Sequence, residues 1–354
     1  MLSYKKFVQI FLAIVLLILS LIISVNIYVD PLLYFGGNKQ SGLNANYNSR
    51  ISKTILYSQS DKNYNCIIFG SSTAMYMHAS EFKDYRCFNF SVSSGNIVES
   101  VKIAEYIKKF GKEPSIVIVG VDAFNFKRNY LKPTSLPEEI LNQTTTKIFW
   151  ERYISLNVFL FSIKDLFGML ERNAQYDVVT GDFSQIVMDE FKPDNIVTNR
   201  KEPNPNWKYN VVYKDSIVHY KRLREIFPEA DFVGYMPHKS LWDIARIEFL
   251  GGTDNTLEVM YEVSKVFDRF YDFTVASKVT SDPLNTPDGF HYDMKTLIDV
   301  INVIEEQVAS YSLAVHTMSR GEYMRDYKKA LDDFIVHYNL KPAEDLRKPD
   351  EPNK

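Results

Sequence analysis

The chain opens on one long apolar stretch, and after residue 65 it alternates short apolar runs with amphipathic ones. Between Lys6 and Asp30 no charge interrupts FVQIFLAIVLLILSLIISVNIYV, which as a helix of about 34 Å is long enough to cross a bilayer. Further on, CIIF (66–69), CFNFSV (87–92), SIVIVGV (115–121), DFVGYM (231–236) and FTVAS (273–277) read as five buried strands. Asn96 can cap a helix with Glu99 in the reciprocal capping position, and Ile97, Val101, Ala104, Ile107 and Phe110 recur at helical spacing before Lys108, Lys109 and Gly111 end it. TLEVMYEVSKVFDRF and MKTLIDVINVIEEQV are two further helices. Strands and helices in alternation predict an α/β fold with a parallel sheet covered by helices.

Residues 126–207 break this rhythm with KIFWERYISLNVFLFSIKDLFGML and a polar segment ending in EPNPNW, together too long for a simple crossover. The interval reads as an insertion, either covering a site or adding a helical layer without contact to one. The expected layout is an anchor at 1–30, a linker and first helix at 31–60, and an α/β domain at 61–312 with the insertion at about 126–207. A peripheral helix at 318–339 and a disordered tail, KPAEDLRKPDEPNK, would occupy 313–354.

Lys5 and Lys6 precede the apolar stretch and Asp30 follows it, so the positive-inside tendency leaves the first residues in the cytoplasm and the rest outside. A cleaved signal peptide is the competing reading. The run is longer than a usual signal core and no A-x-A-like site follows it, which favours an uncleaved anchor in the lipid bilayer. With 354 residues, 45% of them hydrophobic, the chain can bury a substantial core, and 41 basic against 44 acidic residues give no electrostatic footprint for nucleic acid. The two cysteines, Cys66 and Cys87, fall in adjacent strand-like runs. An exported chain could pair them, but neighbouring parallel strands rarely offer disulfide geometry, so two buried thiols are expected. No Cys/His spacing suggests a metal, and no cofactor is called for.

Gly70-Ser71-Ser72 stands where the first strand should hand over to a helix, so either hydroxyl could be a turn residue or a nucleophile at the mouth of the sheet. A serine needs a base, usually an imidazole held by a carboxylate. Of the six histidines, His78 follows the serine turn, His219 lies in a charged helix, and His316 and His337 are in the C-terminal part. His238 and His291 remain, each after a strand, where sites form in open parallel sheets. Asp288 lies three residues before His291, close enough for a local hydrogen bond that sets the tautomer. His238 is the better candidate for a supporting or substrate-contacting role.

These blocks, in this order, resemble the SGNH or GDSL-like hydrolase superfamily over roughly residues 60–310. The resemblance puts Ser72 in the nucleophile position of the first block and matches Asp288 and His291 to the last. NFSVSSGN matches the second block loosely, with the N–H of Ser94 or Gly95 as an oxyanion donor. It also implies a three-layer α/β/α arrangement with flavodoxin-like strand order. The anchor, VDPLLYF and the GSS block are similar to envelope members, among them the D-alanyl transfer protein of teichoic-acid synthesis and the alginate acetylation proteins. What this implies is a serine esterase or acyltransferase on acyl esters of a cell-surface glycan. The alternative is a non-catalytic accessory protein beside a membrane O-acyltransferase partner. The third block departs from the pattern: Gly120-Val121-Asp122 puts a carboxylate where the family has an asparagine. An ionised Asp122 facing an oxyanion would raise the barrier, so Asp122 would be protonated, turned toward another group or used as a cap. Asn125 or Asn96 could then take the amide's place.

Overall fold

A computed structural model describes residues 3–342 except 42, 46, 61–62, 110–112, 127–130, 132–135, 137–151, 171–173, 178–181, 186–195 and 198–213. The expected tail from residue 343, the EPNPNW segment and much of the insertion lie outside the described residues. The chain divides into two compact units, residues 1–62 with 135–186 and residues 63–134 with 187–354. Part of the expected insertion therefore groups with the N-terminal segment, and the C-terminal helix groups with the α/β unit.

The first unit carries one helix long and apolar enough to cross a membrane, Tyr4–Val29, with 26 residues and a mean hydropathy of 3.0 over its most apolar window. It ends at Asp30, whose left-handed backbone (φ 49°) turns the chain while its N–H closes on the Asn26 carbonyl. Asp30 then organises the exit. Its carboxylate accepts from the N–H groups of Tyr34, Phe35 and Gly37 and from the Tyr153 hydroxyl. A second helix, Ser49–Gln59, is capped by Asn48 and contributes Ile51 and Ile55 to a small core with Leu32, Tyr153 and Val158. A third, the flank helix Leu156–Leu166, packs along the end of the apolar helix.

In the α/β unit, β1 (Cys66–Phe69) is followed by a one-turn helix α1 (Ser72–Met75) and β2 (Cys87–Asn89). Next come α2 (Ile97–Lys109), β3 (Ile116–Gly120), α3 (Ile217–Ile226) and β4 (Asp231–Met236). Then follow α4 (Leu241–Phe249), α5 (Thr253–Ser264), β5 (Arg269–Asp272), α6 (Met294–Glu306), β6 (Leu313–Ala314) and α7 (Arg320–His337). The sheet order is β2-β1-β3-β4-β5-β6, parallel except for β6 at its edge. The five parallel strands thus follow the flavodoxin-like order 2-1-3-4-5. Alternating residues serve opposite faces. Ile68, Ile116, Ile118 and Val233 join Val300, Ile301 and Ile304 of α6 in one core cluster, while Ile67, Val117, Val119 and Phe232, on the alternate positions, are equally buried. Burial on both sides is why these strands read as unbroken apolar runs.

Two expectations are corrected. FTVAS is not the fifth strand; the strand is the preceding RFYD. Its end residues are charged but partnered: Arg269 pairs with Asp231 and donates to the Ile304 carbonyl, and Asp272 accepts from Thr274 and from the Tyr323 hydroxyl of α7. Cys66 and Cys87 form a disulfide rather than two thiols. The register explains it: the two residues stand directly opposite one another in β1 and β2, with Cα atoms 4.2 Å apart.

Candidate active site

Strand order reverses on either side of β1, since β2 lies to one side of it and β3 to the other. In open α/β sheets the crevice at the carboxyl ends of such a pair is where ligands bind. Ser72 follows β1 there and Asp122 follows β3. Ser71 is buried and caps α1, its hydroxyl accepting from the Thr73 N–H, whereas Ser72 is half-buried and faces His291. The structure thereby gives the two hydroxyls different settings.

His291 Nε2 lies 2.8 Å from Ser72 Oγ, and its Nδ1 lies 2.6 Å from Asp288 Oδ2. The other carboxylate oxygen, Asp288 Oδ1, accepts from the backbone N–H groups of Phe290 (2.9 Å) and His291 (2.8 Å). Gly289 makes this closed turn possible: its φ of 87° is a region that side chains other than glycine rarely adopt. Asp293, two residues on, caps α6 through the Thr296 N–H and fixes the turn to the helix. Burial alone would raise the Asp288 carboxyl. The hydrogen bonds from the imidazole and the two N–H groups outweigh it and hold the carboxyl below its ordinary value. Tyr76 stands edge-on to His291, its hydroxyl pushed up by burial and by the charge of Asp288.

The expected oxyanion residues are placed less uniformly. Ser94 sits exposed at the turn after β2 with a left-handed φ of 53°, and the Gly95 N–H is already donated to the Val92 carbonyl at 2.9 Å. What Gly95 supplies is room: a Cβ there would come within 2.6 Å of the Gly70 carbonyl oxygen, a backbone atom of the serine turn. Asn96 is the helix cap anticipated from sequence, with Glu99 N–H to Asn96 Oδ1 at 3.0 Å and Asn96 N–H to Glu99 Oε2 at 3.2 Å. Asn125 is buried, and its side-chain oxygen accepts from the Ile97 N–H at 3.0 Å, so it too fastens the start of α2. Both bonds engage the amide oxygens, whereas an oxyanion would be met by the amide nitrogens.

Asp122 is buried at the end of β3. Its Oδ1 accepts from the Thr73 hydroxyl at 3.0 Å, while Oδ2 has no hydrogen-bond partner among the described residues. Burial pushes its carboxyl up to about 6, against the pull of the Ser71 and Thr73 hydroxyls and of nearby His291. His238 is buried against the rings of Phe273 and Tyr292, and neither ring nitrogen has a partner among the described residues. Burial drives its pKa down to about 3, so the ring stays neutral. No hydrogen bond joins His238 to Ser72, His291 or Asp288.

Two contributors escaped the sequence reading. Thr73 links the serine turn to Asp122, with its hydroxyl 3.1 Å from that of Ser71. Asn89 donates to the carbonyls of Ala74 (2.9 Å) and Met77 (2.8 Å), tying the chain after Ser72 to the end of β2. A polar residue inside the apolar run CFNF was the available signal for Asn89. Among the described residues no group of three or more His, Cys, Asp or Glu side chains could hold a metal ion.

Protein-family models yield no match to this chain, and no curated protein is significantly similar to it in sequence.

Proposed function

We propose that this chain is a membrane-anchored serine esterase or O-acyltransferase of the SGNH type, acting outside the cytoplasm on acetyl-like acyl esters of a cell-envelope glycan. The observation that carries the reading is the unbroken hydrogen-bond chain from Ser72 through His291 to Asp288 at the carboxyl rim of the sheet. The flavodoxin-like strand order and the burial of both sheet faces support the three-layer arrangement of that superfamily. A disulfide supports an oxidising, exported setting, and the lysines ahead of the apolar helix support a cytoplasmic N-terminus.

His291 Nε2 takes the proton of Ser72 as Oγ attacks the acyl carbonyl, and Asp288 steadies the imidazolium that forms. Backbone N–H groups at Ser72 and Ser94 receive the oxyanion. Collapse of the tetrahedral adduct breaks the bond to the leaving alcohol, which takes the proton back from His291 and leaves an acyl ester on Ser72. A hydroxyl of the acceptor, or water, then attacks that ester with His291 again as base, and Ser72 is regenerated. The choice of second nucleophile separates transferase from hydrolase.

The test is labelling of the purified chain with a fluorophosphonate probe, alongside release of acetate from a simple aryl ester. Labelling and turnover that vanish together in Ser72→Ala support the enzyme. An unlabelled wild-type chain rules it out.

One observation favours a second reading. The carboxylate of Asp122, where an oxyanion hole calls for a donor, fits a fold retained to dock a glycan or a membrane O-acyltransferase without turnover. That reading predicts glycan binding that persists in Ser72→Ala.

A further inference from the structure

The flank helix Leu156–Leu166 has two unlike sides. Val158, Ser162 and Asp165 are buried, and they face the apolar helix and its exit loop. The Ser162 hydroxyl donates to Asn26 Oδ1 at 3.1 Å, Asn26 Nδ2 donates to the Tyr153 carbonyl at 2.8 Å, and Asn38 Nδ2 donates to Asp165 Oδ2 at 2.8 Å. On the apolar helix the buried positions are Ile22, Asn26 and Val29, one face at i, i+4 and i+7. The flank helix is therefore held against the last two turns, a span of roughly 10 Å by helical rise.

The other side is apolar and open. Leu156 is 59% exposed, Leu160 50%, Phe167 74% and Met169 68%. Leu156, Leu160 and Phe167 follow helical spacing, so they line one stripe, and Lys164, exposed one turn beyond Leu160, can extend its ammonium from that stripe. Contiguous exposed apolar surface of this kind marks a contact site. Its neighbour indicates the occupant: Leu16, Leu17 and Leu21 of the apolar helix are exposed in the same way, and Tyr28 and Phe35 flank the exit as partly exposed aromatics, the residues favoured at a membrane interface.

From this we infer that the flank helix lies in the outer interfacial layer of the bilayer beside the spanning helix, with Leu156, Leu160 and Phe167 among the acyl chains and Lys164 at the lipid phosphates. The inference rests on the reading of Tyr4–Val29 as a transmembrane anchor. The chain would then grip the membrane by a spanning element and an interfacial one, joined by buried polar bonds that keep the second at a fixed depth.

The experiment uses the full chain in vesicles of phosphatidylethanolamine and phosphatidylglycerol. Leu160→Cys, Phe167→Cys and Leu17→Cys each receive one environment-sensitive fluorophore; Cys66 and Cys87, being paired, do not react. Quenching by a nitroxide on the upper acyl chain and by aqueous iodide is compared with that of the free dye. Interfacial seating predicts strong nitroxide quenching at positions 160 and 167 and an iodide response at least about threefold below that of free dye, as for a face buried 5–10 Å into the interface. Iodide-open labels at 160 and 167 with Leu17→Cys quenched by lipid would overturn the inference and leave the anchor standing. Failure at position 17 as well would overturn both. Labels shielded from iodide without lipid quenching, and only in native membranes, would mean that a protein covers this face, and would also overturn it.

Discussion

Two buried aspartates, Asp30 in the N-terminal unit and Asp122 in the α/β unit, show how differently one side chain can be used. Both are pushed up by burial. Asp30 receives three backbone N–H groups and a tyrosine hydroxyl, so its carboxylate serves as the internal partner for a turn that would otherwise strand its donors. Asp122 accepts from the Thr73 hydroxyl on one oxygen, with Ser71 also drawing on the carboxylate, while the other oxygen makes no hydrogen bond of its own among the described residues. A satisfied polar group fixes shape, whereas a partly satisfied one still carries part of the cost of its burial. The lesson is that burial alone does not assign a role; the count and kind of donors do.

The contrast can be tested from its strongest effect downward. The triad beside Asp122 should be the most sensitive point. Ser72→Ala and His291→Ala are each expected to lower ester turnover by about 10⁴-fold or more while leaving thermal unfolding near that of wild type. Turnover kept within tenfold in either variant would place the chemistry elsewhere.

Asp30 should respond in stability rather than activity. Asp30→Ala leaves three N–H groups and the Tyr153 hydroxyl without their acceptor, and a loss of about 3 kcal/mol is expected in detergent-solubilised full chain. Tyr153→Phe removes one donor only and should cost about 1–2 kcal/mol. Chemical unfolding monitored at the N-terminal unit, with a label near the exit loop, gives both numbers. Equal effects of the two changes would show that the backbone donors contribute little.

At Asp122 the expected effect on stability has the opposite sign and is confined to higher pH. With its pKa raised from 3.8 to about 6, Asp122 favours the fold most when protonated. That contribution is complete below about pH 4 and is lost as pH rises through about 6. Asp122→Asn removes the buried charge, so it should stabilise the α/β unit above pH 6 by up to about 3 kcal/mol and leave stability unchanged near pH 4. The same change should raise ester turnover several-fold at pH 7–8, since an amide no longer repels the developing oxyanion. A thermal-shift series from pH 4 to 8, paired with a rate profile, reads both limbs; a variant less stable at pH 8 would show that Asp122 is needed as an acceptor.

Local features were the most readable in the sequence. D-x-x-H brings carboxylate and imidazole together within one turn, and the strand-to-helix position of the serines follows from the apolar run before them. Long-range pairings were not readable. Asn26 is one polar residue in an apolar helix, and its partners Tyr153 and Ser162 lie more than a hundred residues away. The fifth strand was misplaced because Arg269 and Asp272 look unsuited to burial until Asp231, Thr274 and Tyr323 are seen to meet them. The cysteine pairing was missed because it depends on the register of β1 against β2, which alternation leaves free by one residue.

The Cys66–Cys87 bridge gives the fold a history. If the chain is exported as proposed, the strand that leads into Ser72 would be held to its neighbour by hydrogen bonds alone while still in a reducing compartment, and oxidation outside it would add a covalent stitch at the strand's first residue. Under the proposed function, support for the strand that carries Ser72 would thereby be completed only on arrival outside the cytoplasm.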